Sequence, residues 1–254
     1  MGQSSTGNSI GSLERAFDII ALLRERGSLT LTEIAEELGV PTSTVHVYLK
    51  TLEKGGFVTV EDRQYRNSLK FLEIGGQVRQ QLDIYRAAAP VLTDIAGITG
   101  ERAGLGVEES GKRVLIGAED GRGAVSDNIP IGEFTELHWT GLGKCLLAHL
   151  PHERRESIIT DNDLPRATEN TITDPGRLRE ELSTIRERGF AVEDEERRDG
   201  IRSVDVPILT PEGEIIAAIG VTGPVNRFGA EQLSQYISLL QDKANEIKLK
   251  TVYY

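Results

Sequence analysis

The stretch from Thr30 to Gly56, TLTEIAEELGVPTSTVHVYLKTLEKGG, decides the fold of the N-terminal part of the chain. Thr30-Leu31-Thr32-Glu33 has the form of a capping box, in which a hydroxyl and a Glu three residues on satisfy each other's free backbone N–H groups, worth ~1 kcal/mol. Ile34, Ala35 and Leu38 then give a short helix its inward face, and Gly39 stops it. After Val40-Pro41, a second helix starts at Thr42 or Ser43 and runs to Lys54, with Val45, Leu49 and Leu52 at helical spacing and Gly55-Gly56 at its end. Upstream, Leu13 to Leu23 predicts a helix with Leu13, Phe17 and Ile20 inward beside Ala16 and Leu23, closed by Gly27. Downstream, Phe57 to Val60, a polar turn over Glu61 to Gln64, and Tyr65-Arg66 predict a hairpin of two short strands. Three helices with a tight break between the second and third, followed by a hairpin, make a winged helix-turn-helix.

Such a module reads DNA with its third helix. Opposite Val45, Leu49 and Leu52 lie Ser43, Val47, Lys50 and Lys54, flanked by Thr44 and His46. Small hydroxyls near the helix start, Thr42 included, can bond phosphates or base edges, Val47 can touch a thymine methyl, and the two Lys face the backbone. Arg63 in the hairpin turn completes the candidate set. The plainer alternative is that any small three-helix domain exposes polar residues of this kind. Residues 1 to 68 carry seven basic and nine acidic side chains, a net charge of −2, and the whole chain is at −11. Phosphate attraction is therefore weak, and base contacts, shape and a second copy of the module have to supply affinity.

At 254 residues the chain predicts two domains: the module at 10–68, a linker helix at 69–86, and a second domain at 87–254. In the last, strands at 103–108, 113–118, 203–209 and 215–222 alternate with helices at 140–150, 152–159, 174–188 and 230–250, an α+β pattern of antiparallel sheet and flanking helices. Neither a membrane-spanning run nor a signal peptide is readable, so a cytoplasmic protein is expected. One Cys excludes an internal disulfide framework and the Cys-rich zinc fingers. Arg exceeding Lys, with 40 acidic residues against 29 basic, suits a salt-loaded cytosol.

The segment His138 to Leu150, HWTGLGKCLLAHL, gathers the only Trp, the only Cys and two of four His around a Gly-Lys turn. A nucleotide cradle would need Gly in place of His138 and Ser or Thr in place of Cys145, and a dinucleotide fingerprint would need Gly in place of Leu146. Cys145, His149 and His152 share helical spacing suited to a metal, but Pro151 interrupts it. Cys145 as nucleophile lacks an oriented third group, and the cluster Glu193 to Glu196 reads equally well as a solvated strand end or as functional carboxylates. What stays specific is Thr140-Gly141-Leu142-Gly143-Lys144 at a helix start, where backbone N–H groups can hold an oxygen-rich small molecule without catalysis.

Taken together, Ser12 to Ile19 in the first helix, Ser43-Thr44-Val45-His46, His138-x-Thr140-Gly141-x-Gly143-Lys144, Gly189 to Glu196 with Gly200-Ile201-Arg202, and Gly223-Pro224 resemble the IclR family of transcription regulators, from Leu13 to about Ile247. The acidic, Arg-biased composition resembles a haloarchaeal member. The resemblance implies a winged helix-turn-helix, a linker helix and a GAF-like effector domain, assembled as a dimer or dimer of dimers on double-stranded operator DNA, with no enzyme activity, cofactor or metal. It also implies an effector pocket lined by Thr140, Gly141, Leu142, Glu193, Ile201, Ser203, Gly220 and Thr222. Four positions depart from the pattern: Val47 where relatives often carry Arg, Ser203 where Cys is common, Gly220 where a small-acid sensor of the family has Ser, and Glu193 in place of Asp. An ionised Glu193 repels a carboxylate and accepts bonds from hydroxyls, so a polyhydroxylated ligand such as a sugar or sugar acid is expected. The rival expectations are a non-sensing structural DNA-binding protein and an enzyme using Cys145 or the Glu193 to Glu196 cluster.

Overall fold

The computed structural model describes residues 10–125, 129–161 and 163–253 and divides into two units, Met1–Val78 and Arg79–Tyr254. The first unit runs α1 (Gly11–Arg26), β1 (Ser28–Thr30), α2 (Leu31–Leu38), α3 (Thr42–Lys54), β2 (Val58–Glu61), β3 (Gln64–Asn67) and most of α4 (Lys70–Gln80). The capping box forms: the Glu33 N–H donates to Thr30 Oγ1 at 3.3 Å and the Thr30 N–H to Glu33 Oε2 at 2.7 Å. Gly39 adopts the left-handed conformation that ends α2. Strands β2 and β3 pair antiparallel around a turn with positive φ at Asp62 and Arg63, whose twist matches the strands.

Three features depart from the expected pattern. The inward stripe of α1 is Ile19 and Leu23, with Ala16 and Ile20 half-buried, while Leu13 and Phe17 are exposed. Unforeseen β1 pairs with β3, so the wing is three-stranded in the order β1-β3-β2. Helix also fails to run unbroken through 69–86: α4 stops at Gln80, and α5 (Asp83–Thr99) begins after Leu82.

The second unit continues with β4 (Arg102–Glu109), β5 (Lys112–Asp120), β6 (Phe134–Glu136), α6 (Gly141–His149), α7 (His152–Asp161), α8 (Pro175–Arg188), β7 (Ala191–Asp194), β8 (Ile201–Leu209), β9 (Ile215–Pro224) and α9 (Ala230–Tyr253). The strands form one antiparallel sheet in the order β6-β5-β4-β9-β8-β7. Val204, Val206 and Ile208 of β8 and Ile219 and Val221 of β9 pack on the same side as α5 and α9, around Leu92, Ile95 and Leu240. Ala191 and Ala218 pack on the other side with α6 and α8, around Leu146, Leu178 and Ile185. This is an α+β fold with helices on both faces of an antiparallel sheet. The period-2 alternation of the strands sends Ser203 and Asp205 to the α6 side, opposite their apolar neighbours.

Candidate functional site

The site begins at the start of α6. Thr140 caps the helix, its Oγ1 accepting the Gly143 N–H at 2.9 Å. The single helical turn before it is anchored by Pro165, whose carbonyl accepts the Trp139 Nε1–H at 2.7 Å and lies 3.0 Å from His138 Nε2. Gly143 lets the helix lie on that turn, since a Cβ there would stand 2.2 Å from the Leu137 carbonyl oxygen. A Cβ on Gly141 would stand 1.8 Å from Asp205 Oδ2, and one on Gly220 2.0 Å from Asp205 Oδ1. The two glycines seat one fully buried carboxyl group between the helix start and β9. Ser203 Oγ donates to Asp205 at 2.6 Å, and burial pushes the Asp205 carboxyl up to about 7.

Lys144, fully buried, joins α6 to the acidic loop after β7. Its Nζ donates to Glu196 Oε1 at 2.5 Å and to the Val192 carbonyl at 3.1 Å, with Glu181 at 3.8 Å. Glu193 Oε1 accepts the backbone N–H groups of Glu196 at 2.6 Å and Arg197 at 3.1 Å. Burial outweighs those bonds and pushes Glu193 up to about 8, so the carboxyl is mostly neutral at pH 7. The acidic cluster is thus a folded loop with two buried carboxyl groups rather than a solvated strand end.

Between this loop, α6 and the sheet lies a cavity of about 50 Å³. Six of the eight expected effector residues line it: Thr140, Leu142, Glu193, Ile201, Ser203 and Thr222. Gly141 and Gly220 stand behind, as the seat of Asp205, which itself lines the cavity. The sequence reading missed Arg102, Arg113, Arg197 and Arg198, together with Gly104, Leu115 and Ile129. Arg102 donates to Asp120 at 2.7 Å and to the Ile129 carbonyl at 3.0 Å, and Arg197 reaches Glu133 at 3.3 Å. Arg113 is 2% exposed, yet burial lowers its pKa only to about 10 and leaves it charged. The signal was alternation: Arg113 and Leu115 share one face of β5, opposite Val114 and Ile116, and a charge at an inward strand position demands a reason.

The other reactive side chains of the segment are engaged elsewhere. Cys145 is buried, its thiol donates to the Asp205 carbonyl at 3.3 Å, and burial pushes its pKa far above the usual range, which leaves it inert. His149 Nδ1 lies 2.9 Å from the Cys145 carbonyl oxygen. Among the described residues no group of three or more His, Cys, Asp or Glu is placed to hold a metal ion.

In the first unit, Thr42, Ser43, His46, Val47, Lys50 and Lys54 are exposed along α3, with Thr44 half-buried. Val47, 63% exposed, is an apolar side chain on the open face of α3. Arg63 stands exposed at the tip of the wing.

A model of the IclR helix-turn-helix domain matches residues 12–62, and one of the bacterial transcriptional regulator IclR C-terminal domain matches residues 76–249. The chain is 34% identical to the HTH-type transcriptional regulator BhcR of Paracoccus denitrificans, over 97% of this chain and 89% of that one. It is 31% identical to the probable HTH-type transcriptional regulator ArcR of Halobacterium salinarum, over 95% of each. The crystal structure of the Thermotoga maritima IclR superposes with a TM-score of 0.81 at 32% identity, over 96% of this chain and all of that one.

Proposed function

Because the chain belongs to the IclR family of transcriptional regulators, we propose that this DNA-binding regulator is controlled by a small polar metabolite, a sugar, sugar acid or related carboxylate, and governs catabolic genes. The observation that carries the reading is the cavity itself: a space lined by apolar side chains and by the polar groups of Thr140, Glu193, Ser203, Asp205 and Arg113, built from α6, the loop after β7 and the sheet, in the second unit. Residues 10–68 are the DNA-binding part, 69–86 the connection and 87–254 the sensor. Thr42, Ser43, Thr44, His46, Val47, Lys50 and Lys54 of α3 approach the major groove, and Arg63 approaches the adjacent backbone. Ligand draws the α6 start and the Glu193 to Ser203 segment together and changes the spacing of the two half-site readers.

The working form is a homo-oligomer, supported by the apolar residues that the first unit leaves exposed. Leu13 and Phe17 on α1 and Leu72 and Val78 on α4 are all more than half exposed, and α4 buries none of its residues. A module of net charge −2 needs the second half-site that such a partner brings. A cytoplasmic location accords with a regulator that binds DNA.

The test is mapping of bound genomic sites with and without candidate carbon sources, followed by operator titrations. Linkage requires the ligand to change operator affinity by the factor by which operator changes ligand affinity. Equal operator affinity with and without every ligand that binds would make the protein a non-sensing DNA-binding protein.

A further inference from the structure

We propose that Arg113 is the anion anchor of the pocket and that the effector is a short acid bound through its carboxylate, an inference that rests on the sensing role above and narrows its ligand. Arg113 is embedded in the wall of the cavity, 2% exposed. Its Nε is buried with no hydrogen-bond partner among the described residues. Its Nη2 reaches only Glu133 Oε2, at a long 3.4 Å, and Arg197 contacts the same carboxylate. A guanidinium presents five donors in a planar fork, and burying one with a donor unmet is costly unless something supplies the acceptor. A carboxylate in the cavity would meet the fork on the side that Glu133 leaves open.

The surroundings are arranged for that occupant. Gly106 on the neighbouring strand makes room for the Arg113 stem, since a Cβ there would lie 3.2 Å from its Cδ. The two acidic side chains of the wall, Glu193 and Asp205, are held in hydrogen bonds from the loop backbone and from Ser203. Burial raises both of them, so they oppose an incoming anion less than two free carboxylates would. The expectation that Glu193 selects hydroxyls over carboxylates assumed an ionised side chain at this position. Size narrows the class further. A cavity of about 50 Å³ is small, with room for no more than a few water-sized groups. A two- or three-carbon hydroxy or oxo acid is nearer to that size, its second oxygen near Ser203 or Thr222, whereas a hexose needs a much larger opening of the cavity.

The experiment compares thermal shift and calorimetric titration of the full chain with glycolate, lactate, glyoxylate and pyruvate against glycolamide, lactamide, glycerol, a pentose and a hexose. One or more acids should raise the melting temperature by several degrees, and their amides should bind at least tenfold more weakly. Arg113→Met should lose that binding at least tenfold while retaining operator binding, and Arg113→Lys should recover part of it. If Arg113→Met does not fold, the acid-against-amide comparison on the unaltered chain decides. Amides binding as well as acids, or Arg113→Met binding acids as the unaltered chain does, would overturn the assignment. Sugars binding where acids do not would overturn it too and leave the sensing role standing. No binding by any compound, with operator occupancy unmoved by carbon source, would remove both.

Discussion

Asp205 makes different demands on its two glycines, and the difference can be measured. At Gly141 the three atoms nearest an added Cβ belong to the side chains of Asp205 and Ser203, whereas at Gly220 the Val204 carbonyl oxygen also lies 2.7 Å away. Either Gly→Ala change should cost about 2 kcal/mol or more by overpacking, read as a lowered melting temperature. Adding Asp205→Ala should recover most of the loss in Gly141→Ala and little in Gly220→Ala, because the backbone oxygen cannot move away. Equal recovery in both would mean that Asp205 is not the obstacle. The raised carboxyl groups give a second outcome. In the folded chain Glu193 and Asp205 keep protons that the unfolded chain has already released, up to about pH 8 and about pH 7. Where the folded state binds more protons, stability falls as pH rises. Between pH 5 and pH 8 the melting temperature of Glu193→Gln should therefore fall less steeply than that of the unaltered chain, since Gln keeps an acceptor for the two backbone N–H groups. Parallel curves would show that Glu193 is already ionised in the fold.

At the scale of elements, Lys144 joins α6 to the acidic loop through a buried pair, and breaking such a pair from one side costs about 3–5 kcal/mol. Lys144→Met should lower the melting temperature strongly, and Lys144→Met with Glu196→Leu should recover most of the loss; a single variant as stable as the pair would show that Glu196 does not depend on Lys144. On α3, Val47→Arg should tighten DNA binding and steepen the slope of log affinity against log salt by about 0.9, measured by anisotropy in a KCl series; an unchanged slope would take Val47 off the interface. Elements of this kind were legible where local chemistry decides them. Thr30 and Glu33 announced the start of α2, and Gly39 its end. Helix α1 was half legible, because GSLERAFDIIALLRER carries apolar residues on two sides and periodicity cannot say which side meets the core. Strand β1 escaped because three residues that pair only with the distant β3 have no local pattern. In the pocket, the Gly-rich turn and the acidic loop could be read, while Arg113 and Asp205 could not. Each is a charge inside an apolar strand, and its meaning depends on a cavity formed by segments far apart in sequence.

At the scale of the whole molecule, the chain divides into two units after Val78, and the two sides of α1 point beyond a single chain. Ile19 and Leu23 fill the core of the first unit, so Leu13 and Phe17 are surplus to its folding, as are Leu72 and Val78 on α4. Surplus exposed apolar side chains in a module with net charge −2 make sense if a second copy covers them and brings its own reading helix. Joining two weak readers in one particle raises operator affinity by about 10²–10⁴ without a new contact to DNA. Phe17→Glu with Leu72→Glu should therefore leave the melting temperature of the first unit within a few degrees, since neither side chain is in its core. The same double change should shift sedimentation toward the monomer and weaken operator binding by at least about a hundredfold. If the variant still sediments as the unaltered chain does and binds operator equally well, the copies associate through some other surface. The apolar sides of α1 and α4 would then need a different occupant.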